Sequence, residues 1–205
     1  MITKKIISEI IPNIWPLIAF ISIIAITLRG IYLSRSSKKF ILHKELISLI
    51  FIIYIICLYY ILVGNENSSN VFNLIPFKNM FSYKLGSYKF YSNIINNILV
   101  FIPLGFFASY YLTNIKASVI ILTTLIISLL TEGLQYYIGN SFNIDNIILN
   151  ILGGFLGYLL YVALNAIKGK LPKFMKSDGF LNFIFIILII LIVLFSFDIN
   201  IFNYL

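Results

Sequence analysis

Runs of about 20 mostly apolar residues recur along the chain, separated by short polar or basic connections, and an α-helix needs about this length to cross roughly 30 Å of hydrocarbon. The pattern therefore predicts six membrane-spanning helices. The predicted spans are residues 14–33, 46–63, 94–112, 117–138, 145–167 and 180–197. The expected fold class is all-α, a polytopic transmembrane helix bundle with about six spans.

The composition supports this fold class. The chain has 205 residues, of which 60% are hydrophobic and 11% are charged, and its mean hydropathy is +1.01. Soluble globular domains carry roughly a quarter charged residues. We therefore expect a single integral membrane domain over residues 1–205. Lys4 and Lys5 precede the first apolar run, as in a cleaved signal peptide, but this run is long and lacks a small-residue cleavage site, which favours a retained helix.

The net charge of +8 comes from basic residues that flank the apolar spans. Lys and Arg at such positions orient helices and contact anionic headgroups, so membrane lipids are expected partners. No basic motif comes with base-reading or stacking residues, so nucleic acid is not an expected partner. Cys57 is the only cysteine, and His43, the only histidine, lies among Lys and Glu in a predicted solvated loop. Without a Cys/His cluster or a phosphate-binding Gly-rich loop, we expect neither a metal nor a cofactor.

The basic residues divide unequally between the two sets of alternate connections. One set holds Arg29, Arg35, Lys38, Lys39, Lys44, Lys116, Lys168, Lys170, Lys173 and Lys176. The other set holds Lys4, Lys5, Lys78, Lys84 and Lys89. Because Lys and Arg accumulate on the cytoplasmic side, the Lys-rich connection 166–179 is predicted to be cytoplasmic. Both termini and the connections 64–93 and 139–144 are then extracytoplasmic in a multi-pass cell-membrane protein.

The long connection between spans 2 and 3, residues 64–93, begins polar and then becomes aromatic. Its rings belong to Phe72, Phe77, Phe81, Tyr83, Tyr88, Phe90 and Tyr91. Aromatic rings with nearby lysines favour the headgroup level of a bilayer. We therefore predict an outward-facing interfacial segment on the membrane surface; a disordered loop is the alternative for its first half.

Polar side chains gather near the ends of three predicted spans. Glu132 lies about 9 Å below the outer end of span 4, where a carboxylate costs on the order of 2.5–3.5 kcal/mol and must face protein or water. Gln135 shares its helix face. Span 3 begins with Asn93, Asn96 and Asn97, and span 5 begins with Asp145, Asn146 and Asn150. We predict that these three helix ends converge beneath the aromatic segment.

Each of these residues also has a purely structural interpretation. Asp145 suits the N-cap of span 5, because a carboxylate is favourable at a helix N-terminus. The asparagines can be interhelical hydrogen-bond partners, and Glu132 can be a buried carboxyl group bonded to Asn or Tyr. Gly153 and Gly157 form a small-xxx-small pair, which predicts close packing of span 5 against a neighbour such as span 4.

Four segments together resemble a known family. They are NLIPF (73–77), NIINNILVFIPLGFF (93–107), SLLTEGLQ (128–135) and FNIDNIILNILGGFLGY (142–158). Their order and spacing are similar to those of the VanZ-like family over a core of roughly residues 71–161. The founding member of that family is associated with teicoplanin resistance in Gram-positive bacteria, so the resemblance implies a cell-envelope role. It implies candidate ligand-binding residues at Asn73, Asn97, Glu132, Gln135, Asp145 and Asn150.

The chain departs from the family pattern in one segment. Where family members often read like RSFDIDDLILN, this chain has NSFNIDNIILN. Asn140 stands in place of a basic residue, and Asn143 and Asn146 stand in place of acids, so only Asp145 remains of an acidic cluster. Because Ca²⁺ and Mg²⁺ favour several charged oxygen ligands, this departure weakens a divalent-metal hypothesis.

Three functions are compatible with the sequence. The first is an envelope protein that binds or alters an outer-leaflet component, such as a lipid-linked cell-wall precursor or the glycopeptide itself, and so lowers sensitivity to teicoplanin. The second is an intramembrane enzyme with Glu132 or Asp145 as its catalytic acid or base, although no nucleophile is evident. The third is a small transporter or an assembly partner of another membrane protein.

Overall fold

The structure is a computed structural model that describes residues 11–36, 40–63, 72–78, 80, 87–112 and 115–187. Its long helices are α1 (Ile11–Arg35), α2 (Leu42–Val63), α3 (Tyr88–Tyr111), α4 (Ala117–Tyr137) and α5 (Ile144–Lys170). Two short strands, β1 (Phe72–Asn73) and β2 (Phe142–Asn143), pair in parallel. A 3₁₀ helix (Lys173–Lys176) precedes a last helix, α6, described as Asp178–Ile187.

The five long helices are all long and apolar enough to cross a membrane, which confirms the predicted helical membrane bundle. The sixth predicted span begins in α6, and its residues 188–197 lie outside the described residues. Residues 64–71, 79 and 81–86 of the predicted interfacial segment also lie outside them. The parallel pairing of β1 and β2 is a small departure from an all-helical fold that the apolar pattern did not predict.

Helix α3 begins at Tyr88, earlier than the predicted residue 94. Ser87 is its N-cap, and the Ser87 hydroxyl accepts a hydrogen bond from the backbone N–H of Phe90 at 3.2 Å. A serine cap of this kind satisfies one of the N–H groups that a helix start leaves unpaired. The aromatic stretch from Tyr88 to Tyr91 therefore forms the first turn of α3 and is not part of the connection.

The chain divides into two compact units, and the boundary between them falls within α2. The first unit consists of the residues up to Ile53 and those from Ile167 onward. The second unit is Tyr54–Ala166. The expectation of a single membrane domain over residues 1–205 stays a prediction.

In the first unit, α6 caps the beginning of α2. Asn182 Oδ1 accepts hydrogen bonds from the backbone N–H of His43 at 2.9 Å and from His43 Nδ1 at 2.8 Å. The first N–H groups of a helix have no partner within that helix, so Asn182 supplies one from a different helix. His43 is 5% exposed. The prediction of a solvated loop histidine is therefore wrong, because His43 lies inside the first turn of α2 and faces α6.

In the second unit, the buried face of α4 is polar and its exposed faces are apolar. The buried residues recur every four positions as Ile120, Thr124, Ser128 and Glu132. Exposed residues of the same helix include Leu122, Ile126 and Leu130. Hydrocarbon solvates apolar side chains, whereas polar groups must find partners within the protein. This distribution is therefore typical of a helix that lipid surrounds.

Two glycines of α5 bring its backbone against that of α3. A Cβ atom at Gly153 would lie 2.3 Å from the carbonyl oxygen of Ile98, and one at Gly157 would lie 2.0 Å from that of Ile102. Only a residue without a side chain fits such an approach. The contacts advance by four residues in the same direction on both helices, so α3 and α5 run parallel. The glycine pair thus packs against α3, where the sequence had suggested α4.

The second half of α2 also packs on α3. The Tyr54 hydroxyl donates a hydrogen bond to the backbone carbonyl of Val100 at 2.8 Å. One turn further along, Leu58 packs with Phe101 and Leu104 in a small buried apolar cluster. These contacts hold the middle of α3 against α2.

Candidate functional site

Helices α4 and α5 face each other through three successive residue pairs. The first pair is Glu132 with Asn146, the second is Ser128 with Asn150, and the third is Thr124 with Gly154. Both helices advance by four residues from one pair to the next, in opposite directions, so the pairs are about 6 Å apart along the interface. The two helices are therefore antiparallel, and their interface becomes less polar from the first pair to the third.

Glu132 accepts a hydrogen bond on each oxygen of its carboxyl group. Asn146 Nδ2 donates to Oε1 at 3.0 Å, and the backbone N–H of Asn143 donates to Oε2 at 2.9 Å. Glu132 is 2% exposed, as expected for a carboxyl group that cannot face lipid. Among the described residues, the ion pairs involve other side chains, and no Lys or Arg contacts Glu132. The partners of this carboxyl group are the side-chain amide of Asn146 and the backbone amide of Asn143.

Asn146 connects Glu132 to α3. Its Oδ1 accepts hydrogen bonds from Asn97 Nδ2 at 3.0 Å and from Asn143 Nδ2 at 3.5 Å. Asn97 Nδ2 also donates to the backbone carbonyl of Asn93, one turn earlier in α3, at 2.9 Å. The first turns of α3 and α5 and the last turns of α4 thus meet in one hydrogen-bond network. We call Asn97, Glu132, Asn143 and Asn146 the amide network.

Asn143 caps α5. Its Oδ1 accepts a hydrogen bond from the backbone N–H of Asp145 at 3.1 Å and another from Asn73 Nδ2 at 3.3 Å. Asparagine is a preferred N-cap because its side chain accepts from a backbone N–H two residues on. The N-cap of α5 is therefore Asn143. The capping role that the sequence suggested for Asp145 belongs to Asn143, two residues earlier. Asp145 lies within the first turn of the helix.

The carboxylate of Asp145 instead holds the NLIPF turn, residues 73–77. The backbone N–H groups of Phe77 and Met80 donate to its two oxygens, Met80 at 3.0 Å. Asn73 Oδ1 accepts the N–H of Ile75 at 3.3 Å within the turn. Phe77 adopts a left-handed φ of 64°, which is uncommon for an aromatic residue. Asp145 is 3% exposed, so a buried carboxyl group holds the backbone of this turn through two N–H groups.

The β1–β2 pair places the NLIPF turn beside the amide network. Phe72 pairs with Phe142 and Asn73 with Asn143. The rings of Phe72 and Phe142 stack at 4.7 Å between centroids, and Tyr136 contacts Phe72 edge-on at 5.3 Å. An aromatic layer therefore covers the polar residues at this end of the second unit.

The remaining candidate residues are distributed around this centre. Asn73 is buried beneath the turn, at 6% exposure, through its bond to Asn143. Gln135 is partly buried one turn beyond Glu132, and its backbone carbonyl accepts the N–H of Asn140 at 2.9 Å. Asn150 belongs to the second α4–α5 pair, one turn deeper than Asn146. The structure thus brings Asn73, Asn97, Glu132 and Asp145 into one connected arrangement, with Asn150 below it and Gln135 beside it.

This arrangement is suited to holding polar groups in place. Its side chains are carboxylates and amides, which accept and donate hydrogen bonds but are poor nucleophiles as they stand. Within the described part of the chain, no three His, Cys, Asp or Glu side chains come together as a metal site. Carboxyl and amide groups in this arrangement can accept and donate hydrogen bonds to a polar ligand.

Sequence reasoning missed several members of the arrangement. It identified Asn143 only as a replacement for an acid, although its place two residues before Asp145 is an N-cap signal. Ser128 lies one turn before Glu132, and that spacing could have indicated it. The backbone donors at Phe77 and Met80 carry no sequence signal, because every residue except proline has an N–H.

Comparison with known proteins gives one match. A family model described as VanZ/LLP1 matches residues 46–165, which is more than half of the chain. The match begins within α2 and ends within α5, so it includes α2 in addition to the core of residues 71–161 expected from the motifs. No curated protein and no solved structure matches the chain.

Proposed function

The chain belongs to the VanZ/LLP1 family and is a multi-pass membrane protein of that type, and from this premise we propose that it lowers sensitivity to glycopeptide antibiotics such as teicoplanin. In this proposal it binds or alters an outer-leaflet component of the cell envelope. The bound species is a lipid-linked cell-wall precursor or the glycopeptide itself. The observation that carries the proposal is the amide network joined to the NLIPF turn by Asp145 and Asn143.

The distribution of charge supports an extracytoplasmic position for this arrangement. The opposite ends of α4 and α5 carry Lys116, Lys168 and Lys170. The end with the amide network has Glu132 and Asp145 buried. Basic residues favour the cytoplasmic side of a membrane. Teicoplanin acts outside the membrane, so a site on the extracytoplasmic side is accessible both to the antibiotic and to the precursors on that leaflet.

The exposed side chains of the NLIPF turn suit contact with lipid-linked molecules. Leu74, Ile75 and Phe77 are 56%, 59% and 47% exposed, although the backbone beneath them is held by Asp145. Apolar side chains at a membrane surface bury themselves among acyl chains, and both teicoplanin and a lipid-linked precursor carry an acyl or prenyl chain. The turn would contact that chain while the amide groups bind the polar part of the same molecule.

The test measures the minimum inhibitory concentration of teicoplanin for a sensitive Gram-positive host that expresses the protein. Wild type should raise this concentration above that of an empty vector. Glu132→Gln and Asp145→Asn should each lower it towards the vector value. Thr123→Ala is the matched control, because this α4 hydroxyl lies outside the network and donates to the carbonyl of Val119 within its own helix. Membrane abundance of every variant is equalised by immunoblot.

Two results would contradict the proposal. Full protection by both Glu132→Gln and Asp145→Asn would remove the site from the mechanism, and no protection by wild type at high abundance would remove the function. Mass spectrometry of envelope lipids with and without the protein then distinguishes binding from alteration. A new covalent form of a precursor indicates alteration, and an unchanged set of precursors indicates binding.

A further inference from the structure

The second α4–α5 pair leaves one buried oxygen without a hydrogen-bond partner. Asn150 is 1% exposed, and its Nδ2 donates to Ser128 Oγ at 2.9 Å. Its Oδ1 receives no hydrogen bond from any residue that the structure describes. A buried acceptor without a partner costs about 1–3 kcal/mol, so such an oxygen calls for a donor or a cation as its missing partner.

The hydroxyl group of the third pair does not supply that partner. Thr124 donates to the backbone carbonyl of Ile120 at 2.8 Å. Its hydroxyl is therefore used within its own helix, a common arrangement for Ser and Thr in membrane spans. Among the described residues, Asn150 Oδ1 stays open to a ligand from outside the chain.

The groups around Asn150 Oδ1 are oxygen ligands with a single negative charge. Ser128 Oγ lies in the same pair as Asn150. Glu132 belongs to the first pair, one helical turn or about 6 Å of backbone rise further along α4. Residues one turn apart on a helix face have side chains within reach of each other. Hard cations prefer carboxylate, amide and hydroxyl oxygens, and divalent ions favour several charged ligands. One carboxylate together with neutral oxygens fits an ion of charge +1.

The third pair limits the size of the ligand. A Cβ atom at Gly154 would lie 2.3 Å from Thr124 Oγ1, so α4 and α5 are in direct contact immediately below Asn150. Phe101 of α3, which is fully buried, lies one turn below Asn97. These contacts close the interface below Asn150 to any organic group.

We propose that Glu132, Ser128 and Asn150 bind one Na⁺ ion between the first and second pairs of the α4–α5 interface. The ion supplies the positive charge that Glu132 lacks among the described residues and the partner that Asn150 Oδ1 lacks. It ties α4 to α5 immediately below the amide network. This inference goes beyond glycopeptide protection, and its test uses no antibiotic, so the two proposals succeed or fail separately.

The test uses the full chain, purified in detergent without Na⁺. Thermal unfolding is followed in NaCl, KCl and choline chloride at constant ionic strength. A ligand that binds only the folded state raises its stability with the logarithm of ligand concentration above the Kd. The melting temperature should therefore rise with Na⁺ concentration, rise less with K⁺ and not respond to choline. Equilibrium dialysis with ²²Na⁺ should give one ion per chain.

Three variants assign the response to these residues. Glu132→Gln removes the charge and should weaken Na⁺ binding by about tenfold or more, because ligand charge is a main determinant of cation affinity. Asn150→Asp adds a charged oxygen at the same position and should tighten binding, a gain that misfolding cannot produce. Thr123→Ala, whose hydroxyl bonds to Val119 outside the cluster, should respond like wild type.

The outcomes are distinct. A melting temperature that is the same in NaCl and choline chloride, together with no retained ²²Na⁺, overturns the proposal and leaves a water molecule as the partner of Asn150. A Na⁺ response that survives Glu132→Gln and is unchanged by Asn150→Asp also overturns it, because the ion would then bind elsewhere. Weaker Na⁺ binding in Glu132→Gln together with tighter Na⁺ binding in Asn150→Asp supports the proposal.

Discussion

Glu132 of α4 and Asn146 of α5 face each other across the antiparallel interface, with 3.0 Å between Oε1 and Nδ2. Through this bond a buried carboxylate joins the last turns of one helix to the first turn of the next. Asn146 extends the connection to Asn97 on α3. A carboxyl group within a membrane span must find partners in the protein, and here both direct partners, Asn143 and Asn146, come from the start of α5. Four further properties can be tested separately. They are the packing of α3 against α5, the conformation of the NLIPF turn, the contact of Asn182 with α2 in the first unit, and the orientation of the chain in the membrane.

The packing of α3 against α5 should depend on Gly105. A Cβ atom at this position would lie 1.9 Å from the backbone oxygen of Gly154. Gly105→Ala should therefore lower the free energy of unfolding by about 1–3 kcal/mol, the usual penalty for overpacking. Gly133→Ala is the matched control, because a Cβ there meets no atom of another described element within 4 Å. Unfolding in mixed micelles of increasing SDS content measures both variants, and equal stability of the two would refute the close contact.

The conformation of the NLIPF turn should depend on the charge of Asp145. Asp145→Asn replaces an acceptor oxygen by a donor, so one of the N–H groups of Phe77 and Met80 loses its partner. We expect faster hydrogen–deuterium exchange at both amides, followed by mass spectrometry of the peptide that contains them. Asp178→Asn, a similar change at an exposed position in the first unit, should leave this peptide unaffected. Unchanged exchange in the Asp145 variant would show that the turn holds its shape without the carboxylate.

In the first unit, Asn182 should stabilise α2. Asn182→Leu leaves the N–H of His43 and its Nδ1 without an acceptor in a buried position, so we expect a loss of about 1–3 kcal/mol. The bidentate ion pair of Arg29 and Glu45 is the comparison, and its side chains are 48% and 16% exposed. Glu45→Gln should cost less than about 1 kcal/mol, as exposed pairs usually do. If Glu45→Gln lowered the stability in thermal unfolding more than Asn182→Leu does, the claim that Asn182 stabilises α2 would be contradicted.

The orientation of the chain in the membrane can be tested with single cysteines that a reagent labels from one side. Cys57 is the only native cysteine, so Cys57→Ala gives a background without thiols. In that background, Leu74→Cys should react with a membrane-impermeant maleimide on intact cells, because Leu74 is exposed on the NLIPF turn. Phe174→Cys, in the Lys-rich connection, should react only after permeabilisation. The opposite labelling pattern would place the amide network on the cytoplasmic side and remove the basis for contact with an external antibiotic.

Much of the fold follows from the sequence, because a helix that crosses a bilayer must be apolar over about 20 residues. Apolar runs of spanning length predict the helices, and the structure confirms five of them within the described residues. The family assignment also follows, since its motifs are short and occur at fixed spacing. His43 is the counterexample. Charged neighbours suggested a solvated loop, but burial of His43 depends on Asn182, which lies far away in sequence.

The candidate site is predictable in part. The cost of burying a carboxylate in hydrocarbon singles out Glu132 from the sequence alone, and the polar starts of α3 and α5 indicate where its partners could lie. The pairing of Ser128 with Asn150 depends on the antiparallel register of α4 and α5, which packing determines. The role of Asp145 depends on backbone donors in a distant turn. Neither relationship has a local sequence signal, and the function of these residues stays a prediction.

The central claim is that a carboxylate–amide pair across α4 and α5 is the core of the functional site. Exchanging the pair tests it, because Glu132→Gln with Asn146→Asp restores a carboxylate opposite an amide. Each single variant should lose teicoplanin protection. Glu132→Gln leaves a single acceptor oxygen for the N–H groups of Asn143 and Asn146, and Asn146→Asp sets a carboxylate against a carboxylate. The double variant should regain most of the protection at equal membrane abundance. Wild-type protection by both single variants, or no recovery in a double variant that folds as stably as wild type, would contradict the claim.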